Sequence, residues 1–195
     1  MKKIQLFKDI RINSGKYRGS RLYRANASIT RPALNRSRTG IFNLLHSKFE
    51  NGFNLILDCF AGSGAIAIEA ISRRIAKNAI MCDLSADAIT ALNKNIQILD
   101  EIDKNACSVI AGNILELIIN YTKADLIFID PPYKDTENLS NILLKQISEL
   151  DFKIGAIIIV ENDFKTPKRI ILPNNISLFD RRRYGRNEFL FCQKN

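Results

Sequence analysis

The chain has 195 residues, 46% of them hydrophobic, enough for one well-buried domain with a small appendage. Its apolar runs fall short of the roughly 18 residues that a membrane helix needs, and the start at 1–8 is basic with too short an apolar stretch for a signal peptide, so a cytoplasmic protein with no membrane partner is expected. The net charge is +9 and it is lopsided: residues 1–40 hold eleven Lys or Arg against the single acid Asp9, and the remainder is close to neutral, a distribution that suits a polyanion partner.

In chain order, residues 10–24 read as a small hairpin around Gly15 or Gly19. Lys16, Arg18, Arg21 and Arg24 lie on it, with Arg31 and Arg36 beyond. Tyr17 and Tyr23 are interleaved with these charges, and aromatics beside basic residues let a ribbon stack on bases and approach a phosphate backbone. The plainer reading is a solvated tail. Residues 1–30 are therefore expected to form a basic arm for nucleic acid, and 31–195 the main domain. Residues 32–49 read as a helix with Pro32 in its first turn.

From Leu55 onward, apolar runs alternate with helical patterns. Strands are expected at 55–59, 78–83, 108–111, 124–130 and 155–161. Helices are expected at 64–74, at 85–98 with Ser85 as N-cap, at 113–121 and at 139–150. The strands are continuously apolar, as strands covered on both faces should be. The stretches 168–172, 177–184 and 188–192 follow without a helical pattern, and Tyr184-Gly185-Arg186-Asn187 reads as a turn. The expected fold is α/β: a Rossmann-like, mostly parallel seven-stranded sheet with helices on both faces and a C-terminal antiparallel hairpin.

Cys59, Cys82, Cys107, Cys192 and the single His46 lack metal-binding spacing, so no metal is expected. Cys59, Cys82 and Cys192 read instead as small buried hydrophobes.

Two loops carry chemistry. The first, Asp58-Cys59-Phe60-Ala61-Gly62-Ser63-Gly64, joins a strand to a helix, and its glycines let a ligand lie against bare backbone at the helix start. With Ala67 it fits G-x-G-x-x-A, which by itself does not separate a dinucleotide from S-adenosylmethionine. Asp58 favours the latter, because its carboxylate would repel a pyrophosphate and pair with the ammonium of a methionine moiety. Asp83, 19 residues after Gly64, stands where an acid accepts from ribose hydroxyls; the alternative is a dipole partner of the Ser85 helix. Asn113 is either an adenine contact, with Ile114 packing on the ring, or a helix N-cap. The candidate cofactor residues are thus Asp58, Phe60, Gly62, Ser63, Gly64, Asp83, Asn113 and Ile114.

The second loop is Asp130-Pro131-Pro132-Tyr133. An exocyclic amine on a base is a poor nucleophile because its lone pair is delocalised into the ring. Two acceptors aimed at its hydrogens, the Asp130 carboxylate and the Pro131 carbonyl, return electron density to nitrogen and orient it. The prolines stiffen the turn and Tyr133 is placed to stack on the base. A plain strand-end turn is the alternative.

These residues resemble the class I S-adenosylmethionine methyltransferases that carry D/N-P-P-Y/F/W. More closely, the chain is similar to the bacterial small-subunit ribosomal RNA guanine-N2 methyltransferase family, RsmD. The similarity runs through Arg11-Ile12-Asn13-Ser14-Gly15-Lys16-Tyr17-Arg18-Gly19, Thr30-Arg31-Pro32, Arg36-Ser37-Arg38, Leu57 to Ala65, the Asp-Pro-Pro-Tyr loop and Tyr184-Gly185. It implies S-adenosylmethionine as donor, with Asp58, Gly62 and Gly64 on the cofactor and Asp83 on its ribose. It implies a ribosomal RNA guanine, free or in the small subunit, held at Asp130 to Tyr133, and a basic hairpin as RNA grip. The family's Thr after Arg-Pro is Ala33 here, its Glu is Thr39, and Gly40 follows in a helix.

A DNA adenine or cytosine amino-methyltransferase would share the proline loop but normally adds a recognition domain, for which about 50 leading residues leave no room. A catalytically silent RNA-binding assembly factor is the rival from another class, and the intact Asp130 argues against it. A dehydrogenase is disfavoured by Asp58. Nothing in the sequence requires more than a monomer.

Overall fold

The computed structural model describes residues 6–24, 32–132 and 135–195, with backbone alone for 32–35. A two-stranded antiparallel hairpin, β1 (Phe7–Arg11) and β2 (Arg21–Arg24), precedes helix α1 (Pro32–Lys48). Then β and α alternate: β3 (Phe53–Asp58), α2 (Ala65–Ser72), β4 (Ala76–Asp83), α3 (Ala86–Asn95), α4 (Glu101–Asn105), β5 (Cys107–Ala111), α5 (Ile114–Leu117), β6 (Leu126–Ile129), α6 (Thr136–Glu149) and β7 (Ile157–Asp163). The antiparallel pair β8 (Ile176–Tyr184) and β9 (Asn187–Lys194) ends the chain.

The seven-stranded sheet has the order β5-β4-β3-β6-β7-β9-β8. The five strands from β5 to β7 are parallel and the C-terminal pair is antiparallel, as the sequence predicts, and β9 inserts beside β7. Side chains alternate across each strand, so two cores form. Ile56, Phe128, Ile159 and Phe191 pack with α1, α2 and the hairpin. Leu57, Ile127, Ile158 and Cys192 pack with α5 and α6. Burial of each of these Ile, Leu and Phe side chains is worth about 1.5–3 kcal/mol before the entropy of ordering is subtracted. Cys59, Cys82 and Cys192 are buried free thiols, as expected.

The hairpin is part of the body. Ile12 and Leu22 are buried in the same core as α1 and α2. Ser72 at the end of α2 accepts from Lys16 N through its carbonyl and from Tyr17 N through its hydroxyl. Tyr17 donates its hydroxyl to Asp103. Buried Arg38 of α1 donates to the Arg11 carbonyl at 2.6 Å and lies 3.6 Å from the fully buried Glu69. Glu69 also accepts from Asn13 N and from Arg73. The expected boundary at residue 30 falls outside the described residues.

Residues 168–172 lie outside the sheet, and their backbone groups bond to side chains: the Asn141 amide donates to Arg169 O and accepts from Ile171 N, and Asn162 does the same for Lys168. Two local expectations are corrected. The 85–98 helix ends as a 3-10 turn at Ile96–Ile98. The 113–121 helix is four α-helical residues followed by a 3-10 turn.

Candidate active site

The parallel strands run outward in opposite directions from between β3 and β6, so these two flank the switch point where doubly wound sheets take ligands beyond their carboxyl ends. Asp58 is the last residue of β3 and pairs in register with Phe128 of β6. Asp130 follows the last residue of β6, and its charge acts on the Asp58 carboxyl. Asp83 ends β4.

Burial, then the charges of Asp130 and Asp83, push the Asp58 carboxyl up to about 8. Hydrogen bonds from backbone at Phe60 and Ala67 pull the other way. Asp58 is 2% exposed. A cationic ligand group reaching this edge relieves the repulsion among the three acids.

The glycine loop turns over this edge. Gly62 has φ +55° and Gly64 φ +73°, both left-handed, where a side chain is strained. A β-carbon on Gly64 would press on Leu92 and Met81, whereas one on Gly62 would meet no protein atom within 4 Å. Gly64 therefore serves packing and Gly62 leaves an open cradle. The Asp83 carboxylate accepts from Gly62 N at 2.8 Å and from Ser85 N at 2.9 Å, so it fixes both the loop and the start of α3. Two carboxylate oxygens offer about four acceptor positions, which leaves capacity for hydroxyl donors. Phe60 and Ser63 are half-buried on the loop. The acid set and the open cradle fit a ligand with a cationic amino acid end and a ribose.

Asn113 is the N-cap of α5: its side-chain carbonyl accepts from Leu115 N at 3.2 Å and its amide donates to Glu116. Ile114 is buried in the core. In the second loop Pro131 is buried and Pro132 exposed. The Pro132 carbonyl accepts from Asp135 N and the Thr136 hydroxyl, which ties the turn to α6. Tyr133 lies outside the described residues.

Among the basic candidates, Arg18, Arg21 and Arg36 are exposed. Lys16 is engaged by Asp100 and Asp103, and Arg24 by Asp9 at 2.6 Å. Arg31 lies outside the described residues. Sequence reasoning missed Asn95, which is fully buried and binds both the hairpin and the glycine loop. Its signal was a polar residue three after Leu92 and seven after Ala88, on the inward face of a helix.

Such a switch-point site, on a sheet of this order, defines a class I S-adenosylmethionine-dependent methyltransferase. Residues 10–193 match the family described as conserved hypothetical protein 95. Ribosomal RNA small subunit methyltransferase D of Buchnera aphidicola (Baizongia pistaciae) is 35% identical over 90% of this chain and 87% of its own. Its namesake from Haemophilus influenzae is 31% identical over 95% of each. The solved structure of yhhF, a provisionally assigned methyltransferase of Escherichia coli, superposes with TM-score 0.76 at 26% identity, over 95% of this chain and 98% of that one. The chain belongs to this family, RsmD.

Proposed function

We propose that the chain transfers a methyl group from S-adenosylmethionine to the exocyclic N2 amine of a guanine in small-subunit ribosomal RNA. The observation that carries this is that Asp58 and Asp130 stand at the ends of the neighbouring strands β3 and β6, closely enough for the Asp130 charge to act on the Asp58 carboxyl. The relatives' names point to the same RNA.

When bound, the cofactor supplies a methyl group already activated on a sulfonium. Backbone at Gly62, Ser63 and Gly64, with Phe60 beside it, holds the donor; Asp58 faces its ammonium and Asp83 its ribose hydroxyls. Asp130 and the Pro131 carbonyl accept from the target amine and orient its lone pair, and Tyr133 stacks on the guanine. Asn113 caps α5, so an adenine contact there is additional to that role. The basic arm, residues 1–30, grips RNA through Arg18 and Arg21, with Arg36 nearby. Lys16 and Arg24 hold the hairpin's shape through their acid partners.

The test incubates the protein with tritiated S-adenosylmethionine and small ribosomal subunits, free ribosomal RNA or duplex DNA, then identifies the labelled nucleoside. Label in N2-methylguanosine from RNA is expected. Label confined to DNA, or to another nucleoside, overturns the assignment.

A further inference from the structure

Asn95 lies on the inner face of α3 and is fully buried. A buried primary amide is stable only if both its carbonyl and its NH2 find partners. Here the side-chain carbonyl accepts from Tyr23 N at 2.7 Å. The NH2 group donates to Tyr23 O and to Ser63 O, each at 2.8 Å. On one side Asn95 thus pairs with the β2 backbone as a neighbouring strand would. On the other it holds a carbonyl in the glycine loop, between Gly62 and Gly64. The two hydrogens of one rigid planar group serve the two segments, so a displacement of either carbonyl disturbs the other bond.

A satisfied core amide would need no more than this to be structural. What distinguishes Asn95 is where its partners lie. Tyr23 belongs to the hairpin that carries Arg21, and Ser63 belongs to the donor cradle. Other hairpin attachments run from Lys16 and Tyr17 to Ser72 and Asp103, from Asn13 to Glu69, and from the Arg11 carbonyl to Arg38, and they touch α1, α2 and α4. Arg38 also links the hairpin to the Ala65 carbonyl at the first turn of α2, whereas the Asn95 bridge bonds a carbonyl that lies between Gly62 and Gly64.

We propose that Asn95 is a positioning residue that couples RNA seating on the β1–β2 hairpin to donor seating in the glycine loop. The inference rests on the reading of the hairpin as an RNA grip. By linkage, RNA that orders the hairpin then tightens donor binding, and donor tightens RNA binding by the same factor.

The test measures the dissociation constant of S-adenosylhomocysteine, which occupies the donor site without turnover, with and without saturating small ribosomal subunits. The parent enzyme is expected to bind it roughly 5-fold or more tightly on the subunit, the lower range of typical couplings. Asn95→Asp keeps the size and an acceptor for Tyr23 N but turns a carboxylate oxygen toward the two carbonyls. It is expected to bring the ratio within about 2-fold of one. Tyr17→Phe, which removes the hairpin's hydroxyl bond to Asp103, is expected to keep the parent ratio. A parent ratio near one, an unchanged ratio in Asn95→Asp, or an equal loss in Tyr17→Phe overturns the coupling. Failure of the parent to bind subunits at all sinks the functional reading and the coupling with it. Should Asn95→Asp not fold, residue-resolved deuterium exchange on the parent decides. S-adenosylhomocysteine is expected to slow exchange of the Tyr23 amide as well as residues 60–64. Protection of the loop alone overturns the proposal.

Discussion

Gly40 of α1 packs directly beneath the ring of Tyr184 on β8, and a β-carbon at position 40 would overlap both the ring and its hydroxyl. A glycine inside a helix costs about 1 kcal/mol relative to alanine, so the sequence alone marks Gly40 as a defect. The close approach of Tyr184 explains it. Gly40→Ala is expected to destabilise the fold by about 1–2 kcal/mol in urea unfolding, because overpacking exceeds the propensity gain. In a Tyr184→Ala background the same change is expected to stabilise. Equal effects in both backgrounds would show that the two residues are not coupled.

The Asp58 carboxyl gives a pH test. Its folded value, about 8, lies above the ordinary 3.8. Between these limits the folded state holds a proton that the unfolded state has released. The stability tied to that proton is therefore fully present below about pH 4 and is lost as pH rises through 8. Asp58→Asn removes this dependence. The stability of the variant minus that of the parent is expected to grow from pH 5 to 8, by a few kcal/mol at most, in urea unfolding of the donor-free protein. A difference that is flat with pH would mean that the carboxyl is already ionised at pH 5.

The same residue links to the donor. If Asp58 pairs with the donor's ammonium, binding must expel its proton. Titration calorimetry at pH 7 in buffers of different ionisation enthalpy is then expected to show net proton release, absent in Asp58→Asn.

The parallel sheet was legible because its strands are buried on both faces and so are continuously apolar: Leu126-Ile127-Phe128-Ile129 fits little else. The positions of both loops at the ends of β3 and β6 were legible because strand ends are local in sequence. What escaped notice depends on distant partners. Ile170 and Ile171 look like strand residues, yet Ile171 is 55% exposed and its amide bonds to Asn141, on a helix that precedes β7. Glu69 and Asn95 are polar residues on helix faces that bury them, and their partners lie 56 and 72 positions earlier. Local patterning carries no record of such pairings. Lys16 and Arg24 were indistinguishable from Arg18 and Arg21 by charge alone, and only the fold shows which of them already faces an acid.

At the Asp-Pro-Pro-Tyr loop, Asp130→Ala is expected to lower kcat at least 10²-fold, the scale of removing one aligned hydrogen-bonding group from a transition state. The donor's dissociation constant should change little, because Asp130 is assigned to the base. Loss of donor affinity matching the loss of kcat would show that Asp130 holds the cofactor instead.

The hairpin cations divide into two groups that salt can separate. Arg18 and Arg21 are exposed. Each phosphate they neutralise releases a counterion and adds somewhat under one unit to the slope of log affinity against log salt. Replacing both by alanine is expected to flatten the slope for small-subunit binding by roughly 1.5. Lys16 is different: Asp100, then Asp103, hold its ammonium well above the usual lysine range, so its charge is balanced within the protein. Arg24 is likewise balanced by Asp9. Lys16→Ala and Arg24→Ala are expected to weaken binding by a similar factor at every salt concentration, through a loosened hairpin, with the slope nearly unchanged. A slope that falls as far for Lys16→Ala as for Arg18→Ala would mean that RNA displaces the acid partners and takes the lysine for itself.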